Sequence, residues 1–202
     1  MKKSAKTRQH IIETTAPIFN QQGYIGSSLT DLCQATGLSK GAIYGHFQNK
    51  EELALAAFNY NLRQLSQAIM KRVDAEDRAS DKLAAILQFY QDYHHFAIPF
   101  GGCPILNLGI DAQGQHPQFL ARVVEVIKKL ENHIRRLILA AMQAGEFRPN
   151  LDEQKISRQI FSLLEGAIFM TLSLNNSQYL LDATDLAQEI LRDCQLSPAP
   201  LQ

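Results

Sequence analysis

The stretch SKGAIYGHFQNK, Ser39 to Lys50, sets Lys40, Tyr44, His46 and Lys50 beside three small residues, Gly41, Ala42 and Gly45. Ammonium and imidazole groups donate hydrogen bonds to phosphate oxygens and base edges. A tyrosine reaches phosphate through its hydroxyl while its ring packs on sugar. Small residues let a backbone come close to base edges. The motifs GxxxxGK[ST], GxGxxG and HExxH for covalent chemistry are absent, and neither an enzyme nor a catalytic residue is expected. His94 and His95 are adjacent. On a helix they point about 100° apart and do not form an i, i+4 metal pair. Neither a metal nor a cofactor is expected.

Residues of this kind need a short rod to carry them, and the sequence supplies one. Ser28 followed by Asp31 reads as a capping box opening a helix that carries Leu29, Leu32 and Cys33. Gly37 stops that helix as a left-handed cap, and Ser39 caps the next, which runs to about Phe47. Helix, glycine turn and serine-capped short helix is the pattern of a helix-turn-helix. Lys40 and His46 are its donors and Tyr44 its phosphate contact. Gly41 and Ala42 allow close approach, and Ser28, Ser39 and Lys50 face the phosphate backbone, with helix amides beside them. Ile43 and Phe47, four apart, anchor the opposite side.

Charge follows the same division. Residues 1–50 carry six basic groups (Lys2, Lys3, Lys6, Arg8, Lys40, Lys50) against Glu13 and Asp31, while the whole chain is neutral. A basic end on an acidic body suits a polyanion partner, or is only a solvated lysine tail. Three scattered cysteines, Cys33, Cys103 and Cys194, with no CxxC, exclude a disulfide scaffold and a zinc ribbon and suit a reducing cytoplasm. The longest uncharged run, residues 93–110, holds prolines, glycines and histidines and is no membrane span.

The rest reads as helix throughout, giving an all-α chain of about nine helices. Asn49 with Glu52 opens a long helix with the stripe Phe58, Leu62, Leu65, Ile69 and Val73. A helix follows over about 81–95. Cys103-Pro104 and His116-Pro117 each look like N-cap and N1. The second opens a stripe of Leu120, Val123, Val124, Ile127, Leu130, Ile134, Leu137 and Ala141. The last helices are expected over about 152–175 and 182–194.

SSLTDLCQATGLSKGAIYGHFQNKEEL resembles the DNA-binding domain of the TetR family of transcriptional regulators. The resemblance covers about residues 7–58 and rests on Phe19, Gly23-Tyr24, Leu32, Gly37, Ser39-Lys40-Gly41, Tyr44, His46-Phe47 and Lys50-Glu51-Glu52-Leu53. Cys33 stands where the family usually has alanine, and Gly45 where a bulkier side chain is common. The resemblance implies a DNA-binding domain at residues 1–53 and a ligand-sensing and dimerisation domain at 54–202. It implies a cytoplasmic repressor, released from a palindromic duplex operator by a small-molecule effector, and a homodimer joined through the last two helices. The residues agree with the last point: Ile160, Leu163, Ala167, Met170, Leu174 and Phe161, Leu164, Ile168, Leu172 form two apolar stripes on one helix, which needs neighbours on both sides.

A sensing domain needs a lined pocket. Phe89, Tyr90, Tyr93, His94, Phe96 and Phe100 offer aromatic walls, Asn107 and the histidines offer polar points, and Cys103 completes the candidate set. An ordinary aromatic core is the competing reading for each. Cys103 at an N-cap has two readings, a thiolate stabilised by the helix dipole that senses oxidants or electrophiles, or a small buried cap. A helical adaptor that binds protein through apolar helices is the competing reading of the whole chain.

Overall fold

Ten α-helices and one 3-10 turn form the described residues, 3–111 and 116–196, in a computed structural model of the chain. They are α1 Lys3–Gly26, α2 Leu29–Thr36, α3 Lys40–Tyr44, α4 Lys50–Val73, α5 Ala79–Gln91, α6 Tyr93–Ala97, the 3-10 turn Ile98–Phe100, α7 Pro104–Asp111, α8 Pro117–Gln143, α9 Glu153–Leu174 and α10 Gln178–Cys194. Among the described residues, pairing outside helices is confined to one isolated bridge, Phe147 with Gln195. No described helix is long and apolar enough to cross a membrane.

The count exceeds nine because the helix expected over 81–95 is two. The chain turns at Asp92 (φ −92°, ψ 2°), whose carboxylate takes the Arg72 guanidinium at 3.0 Å, and α6 restarts at Tyr93. The final helix starts at Gln178, not 182. Asn175 ends α9 in the left-handed region, and the Asn176 side chain accepts the Gln178 amide at 3.0 Å. The polar Asn175-Asn176-Ser177 run is therefore a three-residue turn.

The chain divides into two compact units, residues 1–66 with 95–125, and residues 67–94 with 126–202. In the first, Ile11, Ile12, Ala16, Phe19, Leu32, Ile43, Phe47, Leu53, Ala57, Phe58 and Leu62 are buried. Asn20 of α1 donates to the carbonyls of Phe100 (2.6 Å) and Gly102 (2.8 Å), and the Asn107 amide returns to the carbonyls of Asn20 and Gly101. These two amides fasten the 3-10 turn and the start of α7 to α1. In the second unit, α10 packs on both α9 and α5. Its core includes Leu87, Phe89, Tyr90, Tyr93, Ile138, Phe147, Ile160, Leu164, Ile168, Leu180 and Leu191. Glu146 accepts the Ser80 amide at 2.8 Å and so satisfies the first turn of α5 from a distance.

The α4 stripe is buried as the spacing predicts. On α8 the buried line is Phe119, Val123, Val126, Ile134, Ile138 and Ala141, whereas Leu120 and Val124 are exposed. The period is right and the phase is about one residue off, because several adjacent apolar residues satisfy the same spacing.

Candidate nucleic-acid interface

The helix-turn-helix is built by local hydrogen bonds. The Ser28 side chain accepts the Asp31 amide at 3.1 Å and Asp31 accepts the Ser28 amide at 3.0 Å, a closed capping box. The Ser28 hydroxyl also donates to Asp31 at 2.6 Å, and these bonds hold the Asp31 carboxyl below its ordinary range. Gly37 (φ 67°) ends α2, and the Thr36 carbonyl lies 3.3 Å from the His10 ring of α1. Ser39 then caps α3 by accepting the Ala42 amide at 3.2 Å. The short helix stops at Tyr44, earlier than Phe47, as the Gly45 and His46 amides fold back on the carbonyls of Gly41 and Ile43.

Ile43 and Phe47 are buried, so α3 turns its other side outward. Ser39, Lys40, Gly41 and Ala42 are exposed, and Tyr44 and His46 are half-buried. The Lys40 ammonium lies 5.9 Å from the Tyr44 ring centre, so the two form one patch. A methyl group at Gly41 would meet nothing within 4 Å; the chain itself sets no demand for glycine there. Ser39 accepts the Ala42 amide, and the Ser28 hydroxyl donates to Asp31. Residues 37–41 also match the Gly-x-Ser-x-Gly spacing of a hydrolase nucleophile elbow. That elbow needs a strand ahead of the serine, and here α2 precedes it and the hydroxyl caps a helix.

Lys50 faces inward. Its ammonium donates to the Tyr24 carbonyl and sits 4.5 Å over the Tyr24 ring, and burial pushes its pKa below the ordinary lysine value against the opposing pull of Asp111. It holds a turn instead of presenting a free charge. The sequence reading also missed Arg8, whose guanidinium lies 4.6 Å over Phe47 and 3.6 Å from Glu52. Glu52 in turn accepts the Gln48 amide at 2.7 Å, one residue beyond the expected capping box. Asn20 and Asn61 were missed as well. Both are buried, and an asparagine on the apolar face of a helix is the signal that could have found them.

The effector candidates fall in both units. Phe89, Tyr90 and Tyr93 are buried and pack on one another, with centroids 5.5 to 6.0 Å apart; with His94 they belong to the second unit. Phe96, Phe100, Cys103 and Asn107 belong to the first, where Phe96 and Phe100 stack at 4.9 Å. Cys103 stands at the N-cap of α7, its carbonyl accepting the Asn107 amide at 3.0 Å, and is 1% exposed. A cavity in the first unit is lined by Phe19, Asn20, Tyr24, Ala54, Phe58, Asn61, Pro104 and Leu108, none of them among those candidates.

Glu165 of α9 is half-buried as a residue, but its Oε2 is fully buried with no hydrogen-bond partner. Burial of that ionising oxygen pushes the carboxyl from 4.5 up to about 7. The folded state then holds the proton more tightly than the unfolded chain. The stability tied to this proton is complete below the unfolded value and is lost as pH rises through about 7. At about 1.4 kcal/mol per unit the loss is on the order of 3 kcal/mol. Denaturation midpoints of wild type and Glu165→Gln across this range check it: the wild type weakens with rising pH relative to the variant, and parallel profiles exclude the effect.

An exposed, donor-bearing short helix seated by buried Ile43 and Phe47, with its preceding helix capped and braced, is the arrangement of a helix-turn-helix DNA-binding protein. Residues 11–57 match the family model of bacterial regulatory proteins, tetR family, and residues 79–187 match that of the Tetracyclin repressor-like C-terminal domain. The crystal structure of a TetR-family transcriptional regulator from Cytophaga hutchinsonii has a TM-score of 0.91 at 36% identity, with 98% of this chain and 99% of that one covered. A TetR transcriptional regulator from Chloroflexus aurantiacus J-10-FL gives 0.91 at 33%, covering 98% and 100%. The Fatty acid metabolism regulator protein of Bacillus subtilis (strain 168) is 21% identical over 192 residues, 95% of each chain. The chain belongs to the TetR family of transcriptional regulators, which are DNA-binding proteins and not enzymes.

Proposed function

We propose that this regulator represses transcription by binding a palindromic operator as a homodimer, and that a small molecule releases it. The observation that carries the reading is the outward surface of α3, where Ser39, Lys40, Gly41, Ala42, Tyr44 and His46 stand over a buried Ile43 and Phe47. Lys40 and His46 donate to phosphate or base edges, Tyr44 and Ser39 to phosphate, and Gly41 and Ala42 admit the backbone to the groove. Ser28 and Lys50 act behind them by fixing the start of α2 and the turn before it.

The homodimer is supported by a groove of about 370 Å³ between α9 and α10, lined by Ser162, Leu163, Gly166, Ala167, Met170, Tyr179, Asp182, Ala183 and Leu186. Its stripe on α9 ends in Leu174, which is 54% exposed in the single chain, while Phe161, Leu164 and Ile168 of the other stripe are core. Gly166, Ala167 and Ala183 leave room for a second copy's helices. Two heads read half-sites at least one helical turn, about 34 Å, apart.

Phe89, Tyr90, Tyr93, His94, Phe96, Phe100, Cys103 and Asn107 are the proposed effector-sensing residues. Their aromatic character suits a mainly apolar effector with few polar groups. Asn107 contributes by fastening α7, and the burial of Cys103 favours its role as a cap over that of a thiol sensor. Full release needs the effector to favour the non-binding state by roughly 5.5 kcal/mol. The test is selection from a random duplex pool followed by a salt titration. A palindrome with a steep salt slope is expected; indifference to DNA sequence at every ionic strength overturns the reading.

A further inference from the structure

We propose that Asp111 is a positioning residue for operator reading, acting through the Gly23–Tyr24 turn and Lys50 without touching DNA. The proposal rests on the DNA-binding reading above. Asp111 is the last residue of α7, and it lies outside every motif the sequence offered. Its carboxylate accepts the backbone amide of Tyr24, 87 residues away. The carbonyl of the same Tyr24 accepts the ammonium of Lys50, the first residue of α4, and the Ser27 hydroxyl at 3.1 Å. Both polar groups of one backbone residue are thus held by side chains from two other helices.

The seat is tight. Gly23 (φ 71°) breaks α1 at this point, and a Cβ there would overlap the Asp111 carboxylate. The carboxylate therefore rests directly on the turn. The Tyr24 ring stands edge-on to His116 at 4.6 Å and to Phe119 at 4.9 Å, so the start of α8 grips it too. His116 Nδ1 lies 3.6 Å from Glu51, the neighbour of Lys50. Asp111 also supplies the negative charge that favours the charged form of the half-buried Lys50.

This turn leads into α2, whose capping residue Ser28 is four residues beyond Tyr24, and Lys50 opens the helix that follows α3. Asp111 therefore pins both chain ends of the helix-turn-helix to the end of α7. Releasing the pin leaves the contact surface of α3 intact, because Ile43 and Phe47 still seat it, but lets the head drift relative to α7. Reading one half-site needs only that surface; reading two at fixed separation needs the pin.

The experiment compares wild type, Asp111→Leu and Asp111→Asn on the selected palindrome, on versions with the central spacer lengthened or shortened, and on a single half-site. Asp111→Leu is expected to lose roughly tenfold on the palindrome, to keep its half-site affinity and to lose its spacer preference. Asp111→Asn, whose amide oxygen still accepts the Tyr24 amide, recovers most of the loss. Should Asp111→Leu not fold, Gly23→Ala displaces the carboxylate from the other side and gives the same loss of spacer preference. Wild-type behaviour of these variants on every duplex overturns the proposal. So does an equal loss on half-site and palindrome, which marks a merely structural role. A wild type that selects no palindrome defeats the DNA-binding reading itself, before any variant is compared, and the proposal with it.

Discussion

Replacing Lys40 and Tyr44 together by alanine removes operator binding and leaves the fold in place. Lys40 is exposed and Tyr44 half-buried, and neither belongs to the hydrophobic core. Surface changes of this kind cost within about 0.5 kcal/mol of stability. In a dimer, four contacts to charged groups are lost. At about 1.5 kcal/mol each, the deficit is near 6 kcal/mol, more than a thousandfold in affinity. The salt slope falls as well, by about 0.9 for each phosphate that a lysine neutralised, or roughly 2 for the two copies of Lys40. Tyr44, uncharged, contributes to affinity and not to the slope. A gel shift at several salt concentrations, with a thermal melt alongside, measures all three. Wild-type affinity in the double variant would refute the assignment of α3 as the reading helix.

The second large effect is expected at the α9–α10 groove. Met170→Glu with Leu186→Glu places two carboxylates per chain in an apolar channel where both residues are 37% and 47% exposed in the single chain. The monomer tolerates them, since solvent reaches both positions. A dimer has to bury four unpaired charges, which costs several kcal/mol each. Sedimentation should report a monomer, and operator affinity should fall to the half-site value. Linkage of two heads contributes a factor of about 10² to 10⁴, and that factor is what is lost. A variant that still sediments as a dimer would move the interface elsewhere.

The two variants and the Asp111 series separate three layers of one activity. In the proposed reading the α3 patch makes the contacts, the α9–α10 groove brings two heads together, and the Asp111 pin sets how each head is held. Loss of the first removes binding to any duplex. Loss of the second spares the half-site and changes the mass. Loss of the third spares both the half-site and the mass and shifts only the spacer preference.

The helix-turn-helix was legible in the sequence because its determinants are local. A capping box at Ser28, a left-handed Gly37 and a cap at Ser39 each act within four residues. Ile43 and Phe47, four apart, then dictate which side of so short a helix faces out. Helical period likewise announced an all-α chain and the buried stripe of α4. What only the tertiary structure decided is how elements distant in sequence meet. Lys50 reads as a surface cation until the Tyr24 carbonyl is found to hold it and Asp111 to act on its charge, 26 and 61 positions away by number. The phase of α8, with Leu120 outside and Phe119 inside, and the choice of which residues of the two α9 stripes are core, depend on which helices lie alongside. Periodicity fixes that a helix has an apolar sector. Its neighbours, placed by long-range packing, determine which part of that sector is covered and which is left for a partner.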